Sequence, residues 1–186
     1  MSDRAESELA QRLRGPGVPL GEVFSFISGL YFRGKLAYAR AFANGPPDVP
    51  GVFVITAGAG LVSPDMHVTL EQLREISAGC VDPEDRRFRR ALDRDCLAVS
   101  KAVGKDCQII LLGSIATPKY VGPLLEIFGE QLFFPAEFIG RGDLSRGGLM
   151  LRCVEEGVQL TYLPVANAVR RGPRPAKLAR RMACKL

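Results

Sequence analysis

Between Gln108 and Arg152 a short apolar run twice empties into a small polar loop that opens a helix-like segment, and this repetition constrains the fold more than any other feature. Ile109-Ile110-Leu111-Leu112 leads into Gly113-Ser114-Ile115-Ala116-Thr117-Pro118-Lys119-Tyr120; Leu132 to Ile139 leads into Gly140-Arg141-Gly142-Asp143-Leu144-Ser145-Arg146-Gly147-Gly148. Open α/β sheets build ligand sites in this way, because loops at the carboxyl ends of parallel strands meet helix N-termini with unpaired N–H groups. The alternation predicts an α/β fold, a three-layer sandwich with a mostly parallel, Rossmann-like central sheet.

The remaining text is read on the same plan. Residues 3 to 14 suit a short, mostly exposed helix stopped by Gly15-Pro16-Gly17. Val23 to Ile27 reads as a strand, Ser28 to Tyr31 as a turn, and Phe32 to Ala43 as a helix with Phe32, Leu36, Ala39 and Ala43 on one face. Val52 to Ala57, apolar on both pleat faces, has the pattern of a covered central parallel strand, and Gly58 to Asp65 makes a third polar loop. Thr69 with Gln72 forms a capping box. Asp82-Pro83-Glu84-Asp85 opens a helix that runs to about Gly104. Helices from about Lys119 to Phe128 and Asp143 to Glu155 follow, and Gln159 to Val165 makes an edge strand because Pro164 cannot donate to a ladder.

Length and composition suit one globular domain: 186 residues, 47% hydrophobic and 24% charged. No apolar run reaches the roughly 20 residues of a membrane helix, and the start lacks the pattern of a secretory signal, so a cytoplasmic location without membrane partners is expected. Five scattered cysteines and a single histidine, His67, fit no zinc spacing, and the cysteines read as small buried hydrophobes. After Glu156 no acid occurs, while Arg170, Arg171, Arg174, Lys177, Arg180, Arg181 and Lys185 add seven positive charges. Removing them from the net +5 leaves residues 1 to 169 at about −2. The chain therefore divides into a single α/β domain, residues 1–169, and a basic C-terminal tail, residues 170–186.

There is no Gly-x-Gly-x-x-Gly opening a βαβ unit and no Walker phosphate loop, so a dinucleotide or nucleoside triphosphate site is not expected, nor any cofactor. In the nine residues from Gly140 to Gly148, glycines let backbone approach a ligand, and Arg141 and Arg146 offer planar forks for phosphate or carboxylate. Ser145 and Gly147 complete that loop, and Asp143 is either a helix cap or a general base. In the loop after Leu112, Ser114 and Thr117 supply hydroxyls, Lys119 a point charge, and Tyr120 a phenol or a core ring. Arg33, Lys35 and Arg40 are either one solvated face or, for Tyr31, Arg33 and Lys35, the rim of an anion site. Asp65 and His67 make a further acid/base pair on one side of an extended segment.

Gly29-Leu30-Tyr31-Phe32-Arg33 with Tyr38-Ala39, Val54 to Asp65, Leu111-Leu112-Gly113 with Tyr120-Val121-Gly122-Pro123-Leu124, and Arg146-Gly147-Gly148-Leu149-Met150 together resemble small bacterial proteins of the YaaA-like superfamily over about residues 28–152. The chain lacks that family's Cys-x-x-Lys-type first loop and adds the basic tail. The resemblance implies an α/β domain with a basic cleft, associated in the best-known members with DNA binding and oxidative-stress protection.

The function expected from the sequence is a nucleic-acid-associated, DNA-binding protein with a polar cleft at the strand ends and the tail as a phosphate-binding arm. The alternative is an enzyme acting on a nucleoside, nucleotide or DNA base, such as an N-glycosidic bond hydrolase. Asp143, Ser114 and Tyr120 would then be its catalytic residues, and Arg141, Ser145, Arg146, Gly147, Thr117, Lys119 and Arg33 would bind substrate and phosphate.

Overall fold

The computed structural model describes residues 8–179. In chain order the elements are α1 (Glu8–Arg14), β1 (Val18–Pro19), α2 (Leu20–Phe42), β2 (Val54–Thr56), β3 (Gly60–Val62), β4 (His67–Val68), α3 (Leu70–Ile76), α4 (Arg86–Val103), β5 (Ile109–Ile110), α5 (Pro118–Phe128), β6 (Leu132–Pro135), α6 (Asp143–Glu156) and β7 (Tyr162–Pro164). Helices carry the architecture, and the strands are two to four residues long.

This overturns the expected three-layer sandwich. The strands form separate small sheets, β1 with β4, β2 with β3, and β5-β6-β7, and only β5 with β6 runs parallel. Val52 to Ala57 is not a central strand, because β2 turns back on β3 with Val54 opposite Val62. Its turn is tied by Thr56, whose hydroxyl donates to the Gly60 carbonyl at 3.0 Å and accepts the Ala59 N–H at 3.1 Å. Gly60 closes it at φ +72, in the left-handed region glycine enters without strain. The polar loop expected after residue 57 is therefore a hairpin, with Asp95 of α4 accepting the Leu61 N–H at 2.9 Å beneath it.

Val23 to Ile27 is helical, contrary to the strand expected there. In α2, Leu20 and Val23 turn into the core while Phe26 and Ile27 remain 64% and 54% exposed, an i, i+3 partition that no strand would produce. The helix bends at Gly29, at φ +61 and ψ −140. Phe24 and Phe32 meet across the bend with ring centroids 5.4 Å apart.

Local signals for the other helices fared better. The Thr69–Gln72 capping box is present. α4 is capped by Asp85, whose carboxylate accepts from Arg87 and Phe88, with Pro83 outside the helix. Gly157 ends α6 in the left-handed conformation. β7 lies at a sheet edge, paired only with β6, as its proline requires. The strand expected from Leu132 to Ile139 stops at Pro135, and Ala136–Phe138 form a single 3-10 turn.

Three apolar clusters hold these elements. One joins α4, α5, β5 and β6 around Phe88, Leu92, Phe128 and Phe134. A second joins α1, the start of α2, α3 and the β1–β4 and β2–β3 strand pairs. The third joins the far arm of α2 to α6 through Tyr38, Phe138 and Met150. Cys96 and Cys153 belong to these cores, whereas Cys80 is exposed. No helix among the described residues is long and apolar enough to cross a membrane.

Candidate functional site

α2 and α6 pack together more extensively than any other pair of elements, and two glycines make that possible. A Cβ on Gly34 would lie 2.6 Å from the Gly147 carbonyl oxygen, and one on Gly147 would lie 2.7 Å from the Leu30 carbonyl oxygen and 2.9 Å from the Tyr31 Cα. The two backbones thus cross in direct contact. Whatever stands beside Gly34 and Gly147 is forced together, and those neighbours are Tyr31 and Lys35 on α2 and Asp143 and Arg146 on α6.

Arg146 is buried, 9% exposed, and is held in place by its surroundings. Its Nε and Nη2 donate to the Phe138 carbonyl at 3.3 and 3.1 Å, and its Nη1 donates to Asp143 Oδ1 at 3.3 Å. Lys35 is half-buried, with Nζ 4.0 Å from the centroid of the Tyr31 ring. Burial pulls its amine down from 10.5 to about 8; the Asp143 carboxylate opposes that shift and the Arg146 guanidinium adds to it. The Tyr31 phenol is held above its ordinary range by burial, with Arg146 opposing the rise and Asp143 and Tyr120 adding to it. Its buried hydroxyl has the Arg146 guanidinium as its polar neighbour, without a hydrogen bond of ordinary length and angle to it.

Lys35 and Tyr120 also line a cavity of about 810 Å³ between α2, α5 and β5. Its walls are mostly apolar and aromatic, with Phe24, Phe32, Phe42, Phe53 and Phe128 among them. Its volume falls in the range of small-molecule sites, and it is broadly open to solvent. On its far side Tyr38 and Tyr162 share a 2.7 Å hydrogen bond, and Tyr38 accepts the Leu160 N–H at 2.8 Å.

The residues singled out from the sequence fall in several places. Asp143, Arg146 and Tyr120 converge on Tyr31. Gly147, expected to bind phosphate, is buried against the α2 backbone. Asp143 does not cap α6, where Gly142 takes the cap position without a side-chain bond. The Ser114 hydroxyl accepts the Ala116 N–H at 3.3 Å within its own loop. Thr117, Lys119 and Arg33 are exposed, with Lys119 5.8 Å from the Tyr120 ring centroid. Asp65 pairs with Arg40, and both Asp65 and His67 are exposed. Lys35 holds the central place in the cluster. The sequence carried a trace of it in the pairing of Tyr31 with a lysine one helical turn later.

The C-terminal segment adds a second feature. Residues 170–179 have no regular structure, yet residues 172–179 lie across Gly140 and along α6. The Arg141 Nη1 donates to Ser145 Oγ at 3.2 Å and to the Ala176 carbonyl at 3.5 Å, and Arg152 bonds the Ala179 carbonyl. Arg141, Ser145, Arg174 and Lys177 border a hollow of about 320 Å³ at the start of α6. Arg180 and Arg181 lie outside the described residues.

Gly140 is where this strap is most confined, because a Cβ there would lie 2.1 Å from the Pro173 carbonyl oxygen, and Gly140 itself sits at φ +71. Gly140→Ala is therefore expected to lift the strap. Limited trypsin digestion at Arg170, Arg171 and Lys177 should speed up by about tenfold or more as the local opening energy falls by more than about 1.4 kcal/mol. Unchanged cleavage would mean that the strap does not depend on that contact.

Among the described residues no group of three or more His, Cys, Asp and Glu side chains is placed to hold a metal ion. Set against family models, curated proteins and solved structures, the chain matches none of them.

Proposed function

We propose that the chain is a nucleic-acid-associated protein that takes a phosphate backbone on the basic face formed where the 170–179 strap lies across the start of α6. The observation behind this reading is the docking of an acid-free segment so that exposed Arg174 and Lys177 stand beside Arg141 around one hollow. The first-turn N–H groups of α6 face the same region and favour anions. Arg170 and Arg171 extend the positive surface. The resemblance to the YaaA-like superfamily, with its DNA-binding members, leans the same way.

Contacts of this kind provide affinity with little sequence choice. They also impose a salt dependence, since each neutralised phosphate releases condensed counterions. Arg174→Gln with Lys177→Gln is expected to weaken binding to a single-stranded oligonucleotide uniformly across sequences. It should also lower the slope of log K against log salt by about 1.4, two contacts at roughly 0.7 each. Fluorescence anisotropy from 50 to 300 mM salt reads both quantities. An unaltered slope in the double variant would remove the strap from the interface.

A further inference from the structure

We propose that the open cavity is a groove for an extended, uncharged peptide segment, which enters as a β-strand between β2 and β5 and pairs with both. The backbone carries this inference. Leu61 gives its N–H to Asp95 of α4, so Leu61 and Ile55 opposite it form a non-hydrogen-bonded pair, and the Ile55 N–H and C=O point away from β3. On β5 the Leu111 N–H donates to the Phe133 carbonyl, which turns the Ile110 N–H and C=O, one residue back, away from β6. β2 pairs only with β3, and β5 only with β6, so each is an edge. Ile55 and Ile110 line the same cavity, and the backbone groups of neither find a further partner among the described residues. Two strand edges bordering one groove are a template for a chain whose own N–H and C=O groups alternate between its two sides.

The walls fit such a guest. Residues 52–55 and 109–112 line the groove, so about four to five guest residues would be paired. Consecutive residues at the end of β5 turn to opposite sides, Leu111 into the core of α4 and α5, and Leu112 into that of α2 and α6. A strand set beside β5 therefore meets apolar side chains on both faces, with Phe32 and Leu36 on α2 and Val99, Leu124 and Phe128 on α4 and α5. Among the described residues only Lys35 and Asp106 bring charge to these walls, so the groove is complementary to an uncharged segment. The basic strap borders a different hollow, and the proposal does not rest on the nucleic-acid reading.

The test uses the intact protein and a fluorescein-labelled, lysine-flanked peptide with the central sequence VIVFV, apolar on both faces. Two analogues carry N-methyl groups, one on the first, third and fifth central residues and the other on the second and fourth. Each loses the N–H groups of one side of the strand. The expected result by fluorescence anisotropy is binding of the parent peptide and a loss of at least about tenfold in affinity for both analogues. Amide exchange at Ile55 and Ile110, read by NMR, should slow by at least about tenfold when the parent is bound. Loss in only one analogue would mean addition to a single edge and would overturn the bridge. Binding kept by both would mean that the groove takes any apolar body, and no binding of the parent at about 1 mM would remove the peptide altogether. Protection of Ile55 and Ile110 that grows with protein concentration, without peptide, would name a second copy of the chain as the occupant instead.

Discussion

Gly147→Ala is expected to destabilise the protein by about 2 to 3 kcal/mol, lowering the melting temperature by roughly 4 to 12 °C. The sign carries the argument. In the middle of an exposed helix, glycine to alanine is stabilising by about 1 kcal/mol, because alanine loses less backbone entropy and has the best helix propensity. Here the added methyl would meet the Leu30 carbonyl at 2.7 Å and the Tyr31 Cα at 2.9 Å, both backbone atoms of a packed helix, and neither can rotate away. α2 and α6 must separate. Gly148→Ala is the internal control: its Cβ would meet only the Leu178 Cδ1, at 3.5 Å, so the ordinary stabilising effect should return one residue along. A melting temperature unchanged or raised in Gly147→Ala would show that the helices do not cross as closely as described.

Lys35→Met should have the opposite effect. At neutral pH the folded protein keeps a charged amine in a site that disfavours it, since burial has lowered the group to about 8 while the unfolded chain keeps it near 10.5. The unfolded state therefore binds more protons between those values, and wild-type stability rises as pH increases from about 8 towards 10.5. Below pH 8 the full penalty is present. Methionine fills a similar volume without charge, so Lys35→Met should be more stable at pH 7 by on the order of 1 to 3 kcal/mol, offset by loss of the contact with the Tyr31 ring. The gap should narrow above pH 8 and vanish beyond about 10.5. Chemical denaturation at pH 7, 9 and 10.5 follows it, and a variant less stable than wild type at every pH would mean that Lys35 serves only the packing of the fold. A residue retained at a cost in stability is a mark of functional sites.

Helix ends were largely legible in the sequence because they are local. Thr69 with Gln72 and Gly157 carry their own chemistry, and each stands where that chemistry requires. Strand partners were not legible. Val52 to Ala57 is apolar on both faces, and that pattern reports burial without saying what does the burying. A hairpin packed on α4 satisfies it as well as a central parallel strand would. Val23 to Ile27 misled because a five-residue apolar run fits either period, and the helix exposes Phe26 and Ile27 instead of alternating.

At the site, the glycine-rich start of α6 was rightly conspicuous, but for a different reason. Gly147 is small so that another helix, and no ligand, can approach. Its counterpart Gly34 lies far away in the chain, inside a helix where nothing marks it as facing α6. Lys35 was legible only in part: it falls with Tyr31 and Arg33 as the rim of an anion site, but on a helical wheel it lies across from Arg33 and Arg40 and beside Leu36 and Ala39, and the element that covers it, α6, is distant in the chain. The basic tail was visible as composition, whereas its seat on Gly140 depends on a positive φ and on a carbonyl from Pro173 that no local pattern predicts.

The α2–α6 crossing desolvates the Lys35 amine and holds it against the Tyr31 ring. The most direct test is an NMR titration of the Lys35 side chain, its Cε and Nζ resonances assigned by comparison with Lys35→Met. A midpoint near 8 in the wild type agrees with this account, and in Gly147→Ala it should move back towards 10.5. A wild-type midpoint near 10.5, shared with the exposed lysines, would contradict it.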